Sequence, residues 1–583
     1  MSEIGVIAVT AAGRAAAERL AAAWPGEVEV VTAQRPADAL RSAFTRCRSV
    51  VAFLAVGAAV RVLAPLLADK RSDPPVVCVD ESLRFAVALL GGHHGANELA
   101  QRVSGVLGCA PVVTTASDSA GVTPLDAYGA DLGFVLDDPG PLARVGAAVL
   151  SGEPVRLEGA TGWPLPALPG NVSADLPEGE AAAVIRVSDR ADDPAGPRKT
   201  PVVTYRPPSL VVGVGSARGV TAEEVGALVD GALAQAGLAP ASVRALATVD
   251  LKADEEGILA AARERGWEVV THAAADLAAV EVPNPSEVVR SEVGTPSVAE
   301  AAALRTAAGA GRGAELVVPK RKSAAATVAV ARLVPRGRLA VIGLGPGARD
   351  LTVPRAVAEL ERASVVVGLD QYVDQVRDLV RPGTRVLASG LGREEERARR
   401  AVEEARGGAA VALIGSGDAG VYAMASPALD FAGADIEVVG VPGVTAAVAA
   451  SNLLGAPLGH DHAYISLSDL HTPWEAIERR VRAAAEGDFT VGFYNPRSRK
   501  RDWQLLRALE ILAEHRPAET PVGHVRNAAR EGERVTLSTL SDMLAGGVEE
   551  VDMFTVVLVG SSASRIVAGR FVTPRGYRWK DVG

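Results

Sequence analysis

The chain has 583 residues, a length that accommodates about four folded units at roughly 150 residues each. A hydrophobic fraction of 48% is ample for several buried cores and excludes disorder as the main state. Lys and Arg number 60 against 70 Asp and Glu, a net charge of −10, so neither bulk nucleic acid nor an anionic membrane surface is an expected partner.

The first residues lack the basic region and long apolar run of an export signal. Ile4 to Val9 reads as a strand running into a helix over Ala11–Ala23. Val28–Thr32, Val50–Val56 and Val76–Val79 are strand candidates and Asn97–Leu107 is a helix candidate. That alternation predicts a parallel α/β sheet for a first domain over 1–135. Cys47, Cys78 and Cys109 lie far apart and form no CxxC unit, which fits a reducing cytoplasm. Residues 136–205 are rich in Pro, Gly and Asp and read as a connecting region with room for a small sheet. A new α/β unit over 206–333 starts with SLVVGVGSARG and closes on a strand or helix around Ala324–Val330. The last unit, 338–583, is long enough for two lobes, about 338–450 and 451–583. Its uncharged run Val438–Gly459 is broken by Pro442, Pro457 and several glycines, so no membrane-spanning helix is expected.

Three glycine loops in that last unit follow strand-like runs. Val341 leads into Gly343-Leu344-Gly345-Pro346-Gly347. Ala410–Ile414 leads into Gly415-Ser416-Gly417-Asp418-Ala419-Gly420-Val421-Tyr422. Ile436–Val439 leads into Val441-Pro442-Gly443-Val444-Thr445-Ala446. Glycine lets backbone amides approach a ligand closely, and open α/β sheets bind ligands at the carboxyl ends of their strands. The first loop alone reads better as a tight strand-to-helix turn, because it lacks the dinucleotide spacing and Pro346 has no amide to offer. Three such loops in one lobe can line one crevice.

In this order and spacing the loops resemble the tetrapyrrole (corrin/porphyrin) methylase family. Pro457-Leu458-Gly459-His460-Asp461, the run Leu467-Ser468-Asp469-Leu470-His471-Thr472-Pro473-Trp474-Glu475, Tyr494-Asn495-Pro496-Arg497-Ser498, Arg526-Asn527, Asp552-Met553 and Thr573-Pro574-Arg575-Gly576-Tyr577 narrow the likeness. Together they look like the precorrin-3B C(17)-methyltransferase (CobJ/CbiH) family, the ring-contraction enzymes of cobalamin biosynthesis. A second series resembles the cobalt-precorrin-5A hydrolase (CbiG) family, which opens a macrocycle-bound lactone and releases acetaldehyde. It comprises Val56-Gly57, Asp69-Lys70-Arg71, Val79-Asp80-Glu81, Gly92-His93-His94-Gly95 and Thr114–Asp118, then Gly213-Val214-Gly215, Lys252-Ala253-Asp254-Glu255, Gly294–Glu300 and Pro319–Ser323. The chain is thus expected to be a multidomain α/β fusion of two enzymes of one pathway, with a two-lobed methylase at its C-terminal end.

The resemblance implies a methyl donor, S-adenosylmethionine (SAM), leaving as S-adenosylhomocysteine. It places Gly343, Gly345, Pro346, Gly347, Ser416, Gly417, Asp418, Val421, Thr445, Ala446 and Met553 around that donor. Asp418 could equally cap the next helix. The substrate carries many carboxylates, which suit arginine, and Arg497, Arg499 and Arg526 are the candidates, with a solvated basic face as the alternative. His460 and His462, two apart, would share one face of a strand and, with Asp469, are candidates for proton movement during contraction. Lys70, Glu81, His93 and His94 are the hydrolase candidates, with a second lining in Gly213, Gly215, Arg218, Lys252 and Glu255. No protein-bound metal is expected, because no third ligand follows the His-x-His pair. The family implies a homodimer through the methylase part and a cytoplasmic protein working beside other enzymes of the pathway. Two alternatives stay open: the N-terminal half as a non-catalytic corrinoid-binding module, and methylation at another ring position.

Overall fold

The computed structural model describes residues 3–69, 72–92, 95–114, 120–191, 200–498 and 501–576. The chain divides into two compact units: 1–159 with 168–188 and 193–207, and 160–167 with 189–192 and 208–583. Among the described residues no helix is long and apolar enough to cross a membrane.

The first unit holds two sheets. One has the order Val28–Val30, Ile4–Ala8, Ser49–Phe53, Val76–Val79, Phe85–Leu90, Ala110–Val112. Helix Ala11–Ala23 follows the first strand as expected, its start fixed by the Thr10 hydroxyl, which accepts from the Gly13 amide at 3.1 Å. The sheet is mixed rather than parallel throughout, because Phe85–Leu90 runs antiparallel to Val76–Val79. Only the turn 80–84 separates those strands, too short for the crossover that a parallel pair demands. The strand expected over Val50–Val56 stops at Phe53, and Val56 opens the helix Val56–Leu63. The second sheet, within 135–206, is parallel apart from its edge strand Val135–Leu136.

The second unit holds a sheet ordered Glu268–His272, Val243–Val249, Leu210–Ser216, Ala326–Val334, Gly313–Lys322. Its first three strands are parallel and the last two form an antiparallel ribbon, which settles the ambiguous stretch around Ala324–Val330 as strand. The next sheet is parallel throughout: Arg385–Ser389, Val365–Leu369, Ala410–Gly415, Gly337–Gly343, Ile436–Val441. Both of its faces are covered. Leu339, Val341, Val367, Val411 and Leu413 pack on one side, and Ala340, Ile342, Val366, Ala412 and Ile414 on the other. That is why Val365–Leu369 and Ala410–Gly415 read as unbroken apolar runs. The final sheet, His462–Ser466, Thr490–Tyr494, Thr555–Val559, Pro521–Arg526, Arg534–Thr539, is parallel only in its first pair.

Candidate functional site

The three glycine loops leave neighbouring strands of the parallel sheet at their carboxyl ends, because Gly337–Gly343 lies between Ala410–Gly415 and Ile436–Val441. Loop one joins loop two through paired backbone bonds: the Gly345 amide donates to the Gly417 carbonyl at 3.0 Å, and the Gly417 amide to the Gly345 carbonyl at 2.7 Å. A side chain on Gly443 would meet the Gly417 carbonyl at 2.1 Å and the Gly343 carbonyl at 2.7 Å. One on Gly343 would lie 2.6 Å from the Gly417 carbonyl. Glycine is therefore required where the loops touch one another. Gly345 adds a backbone constraint, its φ of +80° being costly for other residues.

Asp418 turns these contacts into a tether. One carboxylate oxygen accepts from the Gly420 amide at 2.8 Å and the other from the Gly443 amide at 3.0 Å, so it binds loop two to loop three. It does not cap the following helix, whose N-cap is Met424. Ser416, Val421 and Ala446 are half-buried, Pro346 and Thr445 are buried, and Gly347 is exposed.

The second lobe reaches these loops through Arg530, which the sequence grouped with the substrate-binding arginines, and through tyrosines to which it gave no role. The Arg530 guanidinium donates to the Ser416 hydroxyl at 2.6 Å and also bonds the Pro346 carbonyl. Its side chain lies against Gly347, where a Cβ would fall 2.5 Å from the Arg530 Cγ. The Tyr494 hydroxyl accepts from the Ala447 amide at 3.0 Å and shares a 2.6 Å hydrogen bond with the Thr445 hydroxyl. The Tyr422 hydroxyl donates to the Tyr464 carbonyl at 2.8 Å and accepts from the Ser466 amide at 3.2 Å. Tyr422 holds this clasp with a φ of 52°, an unfavourable backbone region for an aromatic residue. The ring of Tyr494 lies 5.2 Å from that of Tyr422 and 5.7 Å from that of Tyr464. Burial pushes all three phenols above their ordinary value, which keeps them protonated and able to donate. The only hint in the sequence was that Tyr422 closes one motif and Tyr494 opens another.

The histidine pair departs from expectation. The strand begins at His462, leaving His460 in the preceding turn, so the two do not share a strand face. His460 is exposed and takes the Asp461 amide on its own Nδ1 at 2.7 Å. His462 Nδ1 lies 3.1 Å from the His460 carbonyl, and its ring is 5.2 Å from Tyr464, at the margin of the aromatic cluster. Asp469 accepts from Gln504 at 2.9 Å.

Among the described residues of the basic run, Arg497 and Arg501 are both engaged by the protein. Arg501 is buried, bonded to the Leu467 carbonyl at 3.0 Å and to the Asn495 carbonyl, and burial holds its pKa below the usual value. Arg497 donates to the Val548 carbonyl at 3.0 Å. Arg526 pairs with Asp552 at 2.8 Å. Met553 is exposed, its sulfur 3.5 Å from Arg501 Nη2. Lys70, His93, His94 and Arg499 lie outside the described residues. Glu81 sits in the exposed turn before Phe85.

A cavity of about 930 Å³ opens farther along the same sheet edge, lined by Ser389, Arg393, Glu396, Arg397, Arg399 and His471 among others. None of the loop glycines lines it, and its charges are matched internally, as in Arg399 with Glu395 at 2.8 Å. The converging loops, rather than this cavity, hold the glycines and polar side chains that the sequence singled out, and they are the candidate site. Among the described residues no cluster of three or more His, Cys, Asp or Glu is placed to hold a metal ion.

Comparison with known proteins bears on both parts of the chain. Residues 338–544 match the family described as Tetrapyrrole (Corrin/Porphyrin) Methylases. Residues 38–118 match Cobalamin synthesis G N-terminal, and residues 210–331 match Cobalamin synthesis G C-terminus. A probable cobalt-factor III C(17)-methyltransferase of Salmonella typhimurium is 46% identical over 242 residues, covering 41% of this chain and 99% of that protein. A cobalt-factor III methyltransferase of Priestia megaterium is 40% identical over 254 residues, 42% of this chain and 46% of that protein. Among solved structures, the methyltransferase CobJ is 40% identical, with 41% of this chain and all of that one covered at a TM-score of 0.39.

Proposed function

The chain belongs to the C(17)-methyltransferase family of tetrapyrrole methylases and is an enzyme of cobalamin biosynthesis, and from that premise we propose how its two parts divide the work. The C-terminal part methylates precorrin-3B, or cobalt-factor III, at C(17) and contracts the ring to precorrin-4, or its cobalt form. The part built on cobalamin synthesis G domains is a cobalt-precorrin-5A hydrolase that releases acetaldehyde. Any cobalt arrives as part of the substrate.

The observation that carries the methyl-transfer reading is the meeting of three loops through Gly345, Gly417 and Gly443 at adjacent strand ends. SAM is a zwitterion with a ribose and a flat base. It needs amide and hydroxyl partners beside a small apolar wall. The Ser416 and Thr445 hydroxyls, the loop carbonyls, and Val421 and Ala446 supply polar partners beside an apolar wall, so these residues fit the donor. When bound, the donor supplies a methyl group on a sulfonium, a good leaving group. No covalent enzyme intermediate is required, so the chain's task is alignment, where orientation alone is worth about 7–11 kcal/mol in the best intramolecular cases. Asp418 fixes the spacing of loops two and three. Tyr494 holds the start of loop three's helix through Ala447, and Tyr422 clasps the second lobe over loop two. His462, beside Tyr464, is the group we assign to proton movement during contraction. Arg497 and Arg526, held by the Val548 carbonyl and by Asp552, are the residues we assign to the acid fringe of the macrocycle. Homodimerisation through 338–583 and a cytoplasmic location belong to the same reading, and sedimentation at micromolar concentration checks the first.

The deciding experiment is incubation of the full chain with methyl-labelled SAM and each of the two trimethylated substrates, followed by mass analysis. One methyl should appear on one of them. No transfer to either would sink the methyltransferase reading.

A further inference from the structure

The sheet of residues 210–334 carries a second charged site at its carboxyl edge, away from the donor loops. Strands Leu210–Ser216 and Val243–Val249 run parallel, so the turns that follow them, 217–221 and 250–255, emerge side by side. They are locked together. Arg218 donates to Asp254 at 2.6 Å and to the Leu251 carbonyl at 2.9 Å. A Cβ on Gly257 would fall 2.0 Å from the Val220 carbonyl, so only glycine allows this approach.

Glu255 sits inside this lock. It occupies the N-cap of helix Glu256–Arg265 but makes no capping bond there. Its side chain is only 5% exposed and turns toward the other turn, where Oε1 accepts from the Gly219 amide at 2.8 Å. Oε2 accepts no hydrogen bond. The nearest cations, Lys252 Nζ at 3.6 Å and Arg218 Nη1 at 3.7 Å, stand beyond hydrogen-bond reach of it. A buried carboxylate with a spare oxygen is costly unless something uses it. Two other acids in the described segments, Glu300 and Asp80, already have both oxygens bonded. Glu300 is buried but accepts from the Asn284 amide, the Asn284 side chain and the Lys320 amide. Asp80, in the first unit, gives one oxygen to the Arg84 and Phe85 amides and the other to the Arg84 guanidinium.

We propose that Glu255 is the general base, and Lys252 the oxyanion-stabilising cation, of a lactone-opening site at this edge. The inference rests on the hydrolase reading given above and deepens it by naming the residues. In the step, Glu255 Oε2 takes a proton from water as the water oxygen bonds to the lactone carbonyl carbon. Lys252 faces the negative charge that develops on the carbonyl oxygen. The acyl carbon–oxygen bond then breaks, and the proton held by Glu255 passes to the departing ring oxygen. One lactone and one water give one hydroxy acid. The freed hydroxyl then loses its proton as its carbon becomes the acetaldehyde carbonyl, the carbon–carbon bond to the macrocycle breaks, and the ring carbon takes that electron pair and a proton. The sequence from lactone and water to ring acid and acetaldehyde needs no oxidant or reductant. Arg218, 62% exposed and held by Asp254, is placed to meet a carboxylate on the rim of the macrocycle.

The test uses the full chain and cobalt-precorrin-5A, following acetaldehyde and the ring-opened product. Glu255→Gln keeps an oxygen for the Gly219 amide and cannot act as a base. It should lower the rate about 10²–10⁴-fold, with methyl transfer and melting temperature unchanged. Lys252→Gln should lower it about 10²–10³-fold. A Glu255→Gln chain that still releases acetaldehyde within about threefold of the parent, the scatter expected of a residue outside the chemistry, overturns the assignment. If that variant melts early, Lys252→Gln decides by the same criterion. A parent chain that releases no acetaldehyde fails at the hydrolase reading itself, an outcome distinct from an active parent with an equally active Glu255→Gln variant.

Discussion

Tyr494 is one of the residues that join the two lobes of the methylase part. Its hydroxyl is bonded to both Thr445 and the Ala447 amide, so Tyr494→Phe leaves a buried amide and a buried hydroxyl without their partner. An unpaired buried group costs about 1–3 kcal/mol. We expect Tyr494→Phe to weaken S-adenosylhomocysteine binding about tenfold while the chain stays folded, read by calorimetry and a thermal melt together. Arg497→Glu is expected to act on the other ligand. It should weaken binding of the polycarboxylate substrate and spare S-adenosylhomocysteine, and equal loss of both would remove Arg497 from the substrate side. A third residue-scale case concerns stability alone. Arg338 and Glu359 pair at 2.8 Å with each side chain 5% exposed, so Glu359→Gln leaves that guanidinium only the more distant Glu437 carboxylate at 3.5 Å. The expected cost is about 3 kcal/mol in a denaturant melt, with no change in the relative activities of the surviving fold.

At the scale of elements, the parallel sheet and its three turns were legible because both signals are local. The run Ala410–Ile414 is apolar on both faces, Ile436–Val439 is apolar but for Glu437, and a glycine follows each. The strands extend one or two residues beyond those limits, to Gly415 and Val441. What escaped reading is what joins residues distant in sequence. Tyr422 and Tyr464 lie 42 positions apart, Arg530 and Pro346 184 apart, and no spacing rule connects them. The His460–His462 alternation failed for a related reason. It presumes a strand through both residues, whereas the chain is still turning at His460. Helix ends can be tested at this scale too. Thr539 and Asp542 form a capping box at the start of helix Leu540–Leu544. The hydrogen bond from the Thr539 hydroxyl holds the Asp542 carboxyl below its ordinary value of 3.8. A depressed carboxylate contributes stability that is present above that ordinary value and is lost as pH falls through the folded one. Thr539→Ala should therefore lower the melting temperature at pH 7 by roughly 2–4 °C, with the difference from the parent shrinking in acid below 3.8.

At the scale of the whole chain, the account assigns two chemistries to separate sheet edges, both within the second unit. Each uses the carboxyl ends of parallel strands, and they share no residue. Loop substitutions in the methylase part should abolish methyl transfer and leave acetaldehyde release intact, while Glu255→Gln should do the reverse. The claim beneath all of this is that the turns of Gly345, Gly417 and Gly443 make one donor pocket. Its most direct measurement is a calorimetric titration of the full chain with S-adenosylhomocysteine, for the parent and for Gly443→Val, whose side chain would collide with the Gly417 and Gly343 carbonyls. The account predicts one saturable site per chain in the parent and none in the variant, with the melt still cooperative. A parent that takes up no ligand, or a folded Gly443→Val that binds as tightly as the parent, would contradict it.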